Sequence, residues 1–353
     1  MTRPSLRSRR VRIALALVVL AVLAFFARNH LHFISEGWAE LRQADPRWLI
    51  PAVIAQALTM VTQAEVMVVL LRSAGVKVRR WTANMLGLAA NAWSASFPGG
   101  PALSAAMIFR EQIKWGATPV IASWYMVISG ALSGGGMAIL GLGSVYFLGL
   151  RVKPVTLAIS IAVLIALAIA TNWCARNPKT VEQWLLGRLR AFNRWRRQPE
   201  DRWTAALHGF ADQLSAVDLP LPRLGLAINW SLWNWIFEII CLWACVMSIG
   251  GEPPVAGVVL SFIAAKVAGQ TQVTPGGLGP VDLALTSSLV AFAALTSAQA
   301  FAAVIVFRML SFVGLVAIGW LVFFATKLAT PRVRPANEAV GGVPKEKTTL
   351  GSN

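Results

Sequence analysis

Five ionisable side chains stand inside stretches that are otherwise apolar: Glu65, Glu238, Lys266, Asp282 and Arg308. A charge in hydrocarbon is costly, so each is read as functional and each requires a partner or a ligand. Arg308 stays protonated at any physiological pH and demands an anion, whether Asp282, Glu238 or a substrate phosphate. Lys266 can either snorkel along its own stem or meet a headgroup. Asp282 follows Pro280 by two residues, where it either caps the helix that begins there or serves as a headgroup or proton contact. Glu65 and Glu238 complete the set as groups for proton or charge coupling.

Two short breaks lie close to these charges. TPGGLGP at 274–280 and FPGGP at 97–101 interrupt long apolar runs with residues that end helices. Backbone at membrane depth must be satisfied by protein or by a water-filled cavity, so neither break can face lipid. A helix starting after such a break directs unpaired N–H groups and a partial positive charge at whatever fills the space, which suits a phosphate or carboxylate. Pro98, Gly99 and Gly100 in the first break, and Pro275, Gly276, Gly277 and Gly279 in the second, are therefore candidate substrate contacts together with Asp282, Arg308 and Lys266. A tight, purely structural turn between two helices is the alternative.

The elements that must position these groups are membrane helices. Of 353 residues 56% are hydrophobic and only 13% charged, and the mean hydropathy of +0.62 lies outside the range of soluble domains. Apolar runs at 11–27, 48–71, 117–149, 155–174, 223–249 and 297–326 are each long enough to cross a hydrocarbon core. The first follows a basic start and ends in FFARNH without a small-residue cleavage site, which reads as a retained signal anchor. Two further runs, 83–109 and 255–294, carry the breaks near their middles.

Charge fixes the topology. With the N-terminus inside, the cytoplasmic segments collect Arg3 to Arg12, Arg72 to Arg80, Arg110 with Lys114, Arg176 to Arg223 and Lys327 to Lys347, while the outer segments hold only Arg28, Arg42, Arg47, Arg151 and Lys153. The net charge of +17 thus reports orientation and attraction to anionic inner-leaflet lipid, and nucleic acid is not an expected partner. The alternation of spans closes only if 83–109 dips in from the cytoplasm and 255–294 from outside. The expected fold is therefore an all-α polytopic membrane protein with six transmembrane helices and two oppositely oriented re-entrant helical hairpins.

The order of parts recurs. A span, a hairpin tipped with Pro-Gly-Gly and another span occupy 48–149 and again 223–326, each first span carrying one carboxylate, Glu65 or Glu238. An inverted repeat is the natural reading, and broken helices meeting near the midplane are a transporter architecture. Residues 1–329 form one membrane domain in this reading. Within it, 175–222 is an arginine-rich amphipathic segment on the inner leaflet, and 330–353 is a disordered cytoplasmic tail. His30, His32 and His208 are scattered, no nucleotide loop, serine elbow or HExxH occurs, and Cys174, Cys241 and Cys245 have the character of packing residues. No catalytic residue, metal or cofactor is expected.

The stretch TPGGLGPVDLALTSSLVAFAALTSAQAFAAVIVFRMLSF, with SFPGGPALSAAMIFREQIKWG before it, resembles the membrane domain of the lysylphosphatidylglycerol synthase/flippase family over most of 10–327. That family shows a PGGLG tip, an acidic residue three positions on and an arginine in the last span, matched here by Asp282 and Arg308. Its members often carry an acidic-arginine pair in the span after the first hairpin, where Gly130 and Ala131 stand here. Its synthase members add a soluble aminoacyl-transferase domain after the membrane part. The resemblance implies translocation of lipid across the inner membrane, without synthesis, by a multi-pass protein with both termini cytoplasmic. The lipid would be an aminoacylated phospholipid or a polyprenyl-phosphate-linked sugar, and self-association as a homo-oligomer is open. Two other classes remain: a membrane glycosyl- or acyl-transferase using Glu36, Glu40, Asp45 and two histidines of the loop 28–46, and a partner protein in envelope biosynthesis.

Overall fold

The computed structural model describes residues 38–97, 99–147, 219–269 and 274–329. The expected spans 11–27 and 155–174, most of the amphipathic segment 175–222, the tail 330–353 and Pro98 lie outside the described residues. Within them every regular element is helical.

The first long helix, α1 (Pro46–Ser73), begins with proline in its first turn and with Asp45 as cap, whose carboxylate accepts the Arg47 N–H at 2.9 Å. It ends at Gly75, whose φ of 80° lets Val76 N–H reach back to Leu71 O at 3.0 Å. Arg72 then clamps the exit by donating from Nε and Nη2 to Val78 O. Next come α2 (Arg80–Ser96) and α3 (Gly100–Lys114), interrupted where the sequence reads FPGGP. Phe97, the residue before proline, is extended as its neighbour requires, and Gly99 is left-handed at φ 65°. Gly100 lies so close to α2 that a Cβ there would sit 2.1 Å from Ser94 O.

The long helix α4 (Pro119–Phe147) closes this half. The second half repeats the pattern with α5 (Leu221–Ser248), the shorter α6 (Val255–Ala268) and α7 (Pro280–Phe292), and a last span of α8 (Ser297–Arg308), one π-helical turn (Met309–Gly314) and α9 (Leu315–Ala329). Among the described residues, four segments are long and apolar enough to cross a membrane: Pro46–Ser73, Pro119–Tyr146, Leu221–Ser248 and Ser297–Thr326. They coincide with the expected spans 48–71, 117–149, 223–249 and 297–326. At about 1.5 Å per residue, none of α2, α3, α6 and α7 reaches across ~30 Å of hydrocarbon alone. The first broken segment is longer than expected, because α3 continues through Arg110 to Lys114.

Helix α1 packs along α5, and the two run antiparallel. Asp45 N–H at the head of α1 donates to Ser248 O at the foot of α5, and Asn234 in the middle of α5 donates to Thr59 O in the middle of α1, both at 2.8 Å. Two apolar clusters flank this axis. One joins α5, α6, α7 and α8 and takes in Ala52 and Ala55 from the head of α1. The other joins α1, α2 and α4 and takes in Ala227 from the head of α5.

The first arm of each broken pair crosses to the other half's last span. Helix α2 lies on α9, with Gly319 so near that a Cβ would meet Leu88 O at 2.4 Å, and with Trp320 Nε1 donating to Ser96 Oγ at 3.0 Å. Helix α6 lies on α4, where Ile263 covers Gly141. Small residues let backbones approach where lipid offers no hydrophobic drive to association.

Candidate functional site

The second break is built around one carboxylate. Asp282 sits in the first turn of α7, and its Oδ2 accepts the Gly279 N–H at 2.9 Å, satisfying a donor of the turn. Its Oδ1 faces the last span and accepts from Arg308 Nε. Arg308 continues past the carboxylate to donate from Nη1 to Gly276 O at 3.3 Å. Asp282 therefore caps its helix, the first of the two sequence alternatives for it, and neutralises Arg308 at once.

Glycine is needed at this tip for two separate reasons. Gly276, Gly277 and Gly279 have φ of 60°, 69° and 91°, a region L side chains rarely adopt. At Gly276 a Cβ would also lie 2.1 Å from Phe312 Cε2. Phe312 belongs to the π-helical turn that directly follows Arg308. That turn was not expected from the sequence; Ser311, inside it, donates to Phe307 O at 2.8 Å, a side-chain bond that competes with the helical ladder. Single π turns inside α-helices frequently mark functional sites. Here Arg308, Ser311, Phe312 and Leu315, from before, within and after the turn, all line one cavity.

The cavity has a volume of about 380 Å³ and lies where the halves meet. Its walls come from α1, α2, α4, α5, α6, the second break, α7 and the last span. Lys266 and Glu238 face it and pair with each other at 2.5 Å, the Lys266 ammonium also standing 5.4 Å from the Trp235 ring centroid and 5.1 Å from that of Phe262. The rest of the polar lining is neutral and includes Gln56, Gln63, Asn91 and Asn234. Asn91 Nδ2 donates to Gln63 Oε1 at 2.8 Å and to Gly87 O at 3.0 Å, bridging α2 to α1. Arg308 is only 8% exposed, and its Nη2 is buried without a hydrogen-bond partner. Gln56 Oε1 shares that condition.

The candidates from the sequence divide accordingly. Lys266, Glu238, Gly276, Gly277 and Arg308 line the cavity, and Asp282 and Gly279 stand directly behind Arg308. Pro275 opens the short 3-10 turn Pro275–Gly277 at the tip. Gly99 and Gly100 shape the first break but are not in the lining, to which that arm contributes Ser94 and Ala95. Glu65 is buried elsewhere, paired at 2.8 Å with Arg80 at the start of α2, where it ties two helices together. Asp45, offered as a catalytic acid or base, is engaged as the α1 cap. The amides were missed. Their signal is present, since Gln56, Gln63, Asn91 and Asn234 interrupt apolar runs, but a neutral amide in a membrane costs far less than a charge and stands out less.

No curated protein matches this chain. The family model for the lysylphosphatidylglycerol synthase TM region matches residues 13–319. That span takes in three of the four membrane-crossing segments whole and most of the fourth, with both breaks and every residue of the cavity, and this multi-pass membrane protein belongs to the lysylphosphatidylglycerol synthase transmembrane family.

Proposed function

We propose that the chain is a lipid flippase that moves a polar-headed lipid between the leaflets of a bacterial-type inner membrane. The observation that carries this reading is a polar cavity inside a bundle of apolar spans, lined by both halves and holding the Arg308–Asp282 and Lys266–Glu238 pairs at and beside a broken helix. A headgroup crossing the bilayer needs such a place, while its acyl chains stay in lipid. The source of energy is then the lipid's own gradient or an ion gradient. The protein's partners are membrane lipids, and it acts without a cofactor and without catalysing a covalent step.

The architecture that goes with this function has six spans, two re-entrant hairpins entering from opposite faces and cytoplasmic termini. The antiparallel packing of α1 on α5 supports an inverted repeat, as does the reciprocal crossing of α2 onto α9 and α6 onto α4. The broken pairs support hairpins, since their arms are too short to cross singly.

The test is leaflet accessibility of fluorescent phospholipids in proteoliposomes carrying wild type, Arg308→Ala or Asp282→Ala. Wild type should speed the loss of outer-leaflet asymmetry, and each variant should slow it by about tenfold or more, the effect of losing one charged hydrogen bond. Unchanged movement in both variants would remove the assignment of the site.

A further inference from the structure

The lining of the cavity also constrains the headgroup. Among the described residues its charged members are Glu238, Lys266 and Arg308. Glu238 is engaged by Lys266, and Asp282 by Arg308. An ammonium headgroup would look for a free carboxylate or an aromatic face. Both are present in Glu238, Trp235 and Phe262, and both already hold the Lys266 ammonium. Among the described residues, the lining's one carboxylate and the two rings beside it thus already hold the protein's own lysine.

The groups still lacking partners have a different chemistry. Arg308 Nη2 is a buried charged donor, matched by a phosphate oxygen. Gln56 Oε1 is a buried acceptor, matched by a hydroxyl. Asn91 has committed its Nδ2 to Gln63 and Gly87, and Asn234 its Nδ2 to Thr59. Both residues line the cavity, and an amide whose N–H is engaged keeps its oxygen as an acceptor. A volume of about 380 Å³ falls within the range of small-molecule sites.

Resting on the reading of this cavity as a headgroup site, we infer that its ligand is a phosphate-linked polyol: a phosphodiester bearing free hydroxyls, such as a glycerol, inositol or sugar headgroup, and not an aminoacyl or ethanolamine headgroup. The phosphate binds Arg308 and the hydroxyls bind the amide wall.

The experiment measures binding, separately from movement. The full chain in detergent is challenged with short-chain phosphatidylglycerol, phosphatidylinositol, phosphatidic acid, phosphatidylethanolamine and lysylphosphatidylglycerol, read by thermal shift and native mass spectrometry. The two polyol lipids should bind about tenfold or more tighter than the two ammonium lipids. Gln56→Leu should weaken the polyol lipids by about tenfold and leave phosphatidic acid within about twofold, because the lost acceptor serves only the hydroxyls. Arg308→Lys should weaken all the phospholipids. Glycerol 3-phosphate, as a free headgroup, should compete with phosphatidylglycerol. Equal or tighter binding of either ammonium lipid overturns the inference, above all if Lys266→Met strengthens it by opening the cage. So does phosphatidylglycerol binding that neither Gln56→Leu nor glycerol 3-phosphate disturbs. Selective binding without movement of any lipid would end the flippase reading and leave the headgroup assignment intact; movement without selectivity would do the reverse.

Discussion

Asp282 serves the N–H of Gly279 and the guanidinium of Arg308 with different oxygens, so its substitutions separate the two roles. Asp282→Asn keeps an oxygen for the turn and removes the charge, whereas Asp282→Ala removes both. Leaving Arg308 buried without an anion should cost about 3–5 kcal/mol, seen as a lower melting temperature in detergent. The double variant Asp282→Ala with Arg308→Leu should recover much of that stability and none of the transport, because the penalty comes from the orphaned charge. A double variant no more stable than Asp282→Ala would show that the pair is not buried as described. At Gly276, alanine meets both a left-handed backbone and the Phe312 ring. The backbone alone should cost about 1–2 kcal/mol. Gly276→Ala should therefore destabilise more than Gly99→Ala, whose Cβ would meet nothing within 4 Å.

At the scale of elements, the last span is one apolar run in sequence and three pieces in structure. The π-helical turn sets how Ser311 and Phe312 project relative to Arg308. Deleting Ser311 should restore a plain α-helix and rotate the residues that follow by about 100°. Phe312 would then leave Gly276, and lipid movement should fall while the span still inserts, as measured by membrane fractionation beside the flux assay. Retained flux would show that the turn has no part in the site. The contact of α2 with α9 offers a second handle. Gly319→Val drives a side chain into Leu88 O and the Ala92 Cβ, and overpacking of this kind should cost about 1–3 kcal/mol in thermal stability.

For the whole molecule, the proposed inverted repeat predicts which loops share a face. Lys77→Cys and Lys114→Cys flank the first broken pair, and Glu252→Cys and Ser297→Cys flank the second; all four positions are exposed. A membrane-impermeant maleimide added to whole cells should label the second couple and reach the first only after the membrane is opened. Cys241 and Cys245 are buried and should contribute little background, and the third native cysteine, Cys174, is replaced by serine in all four variants. Labelling of one member of a couple from each side would mean that the broken pair crosses the membrane, and the hairpins would have to be abandoned.

Much of the fold was legible in the sequence. Apolar length against a bilayer of fixed thickness gave the four spans within a few residues, and Pro-Gly-Gly placed both breaks, because a chain in lipid has few ways to satisfy its backbone. The same cost of burying charge singled out Lys266, Glu238, Asp282 and Arg308, and all four gather at or just behind the cavity. Sequence did not assign their partners. Arg308 had three candidate anions, and only the approach of α7 to the last span decided for Asp282. Glu65 looked equivalent to Glu238 by its place in the repeat, yet it meets Arg80 while Glu238 meets Lys266. The amide wall was equally hidden, because an amide in a span is cheap enough to go unnoticed until packing brings several around one space. The sequence by itself determined what must be buried and where helices must stop, since those are local costs of solvation and backbone geometry. Which buried group meets which other depends on how α1, α5 and the two broken pairs interlock, and only the tertiary structure decided that.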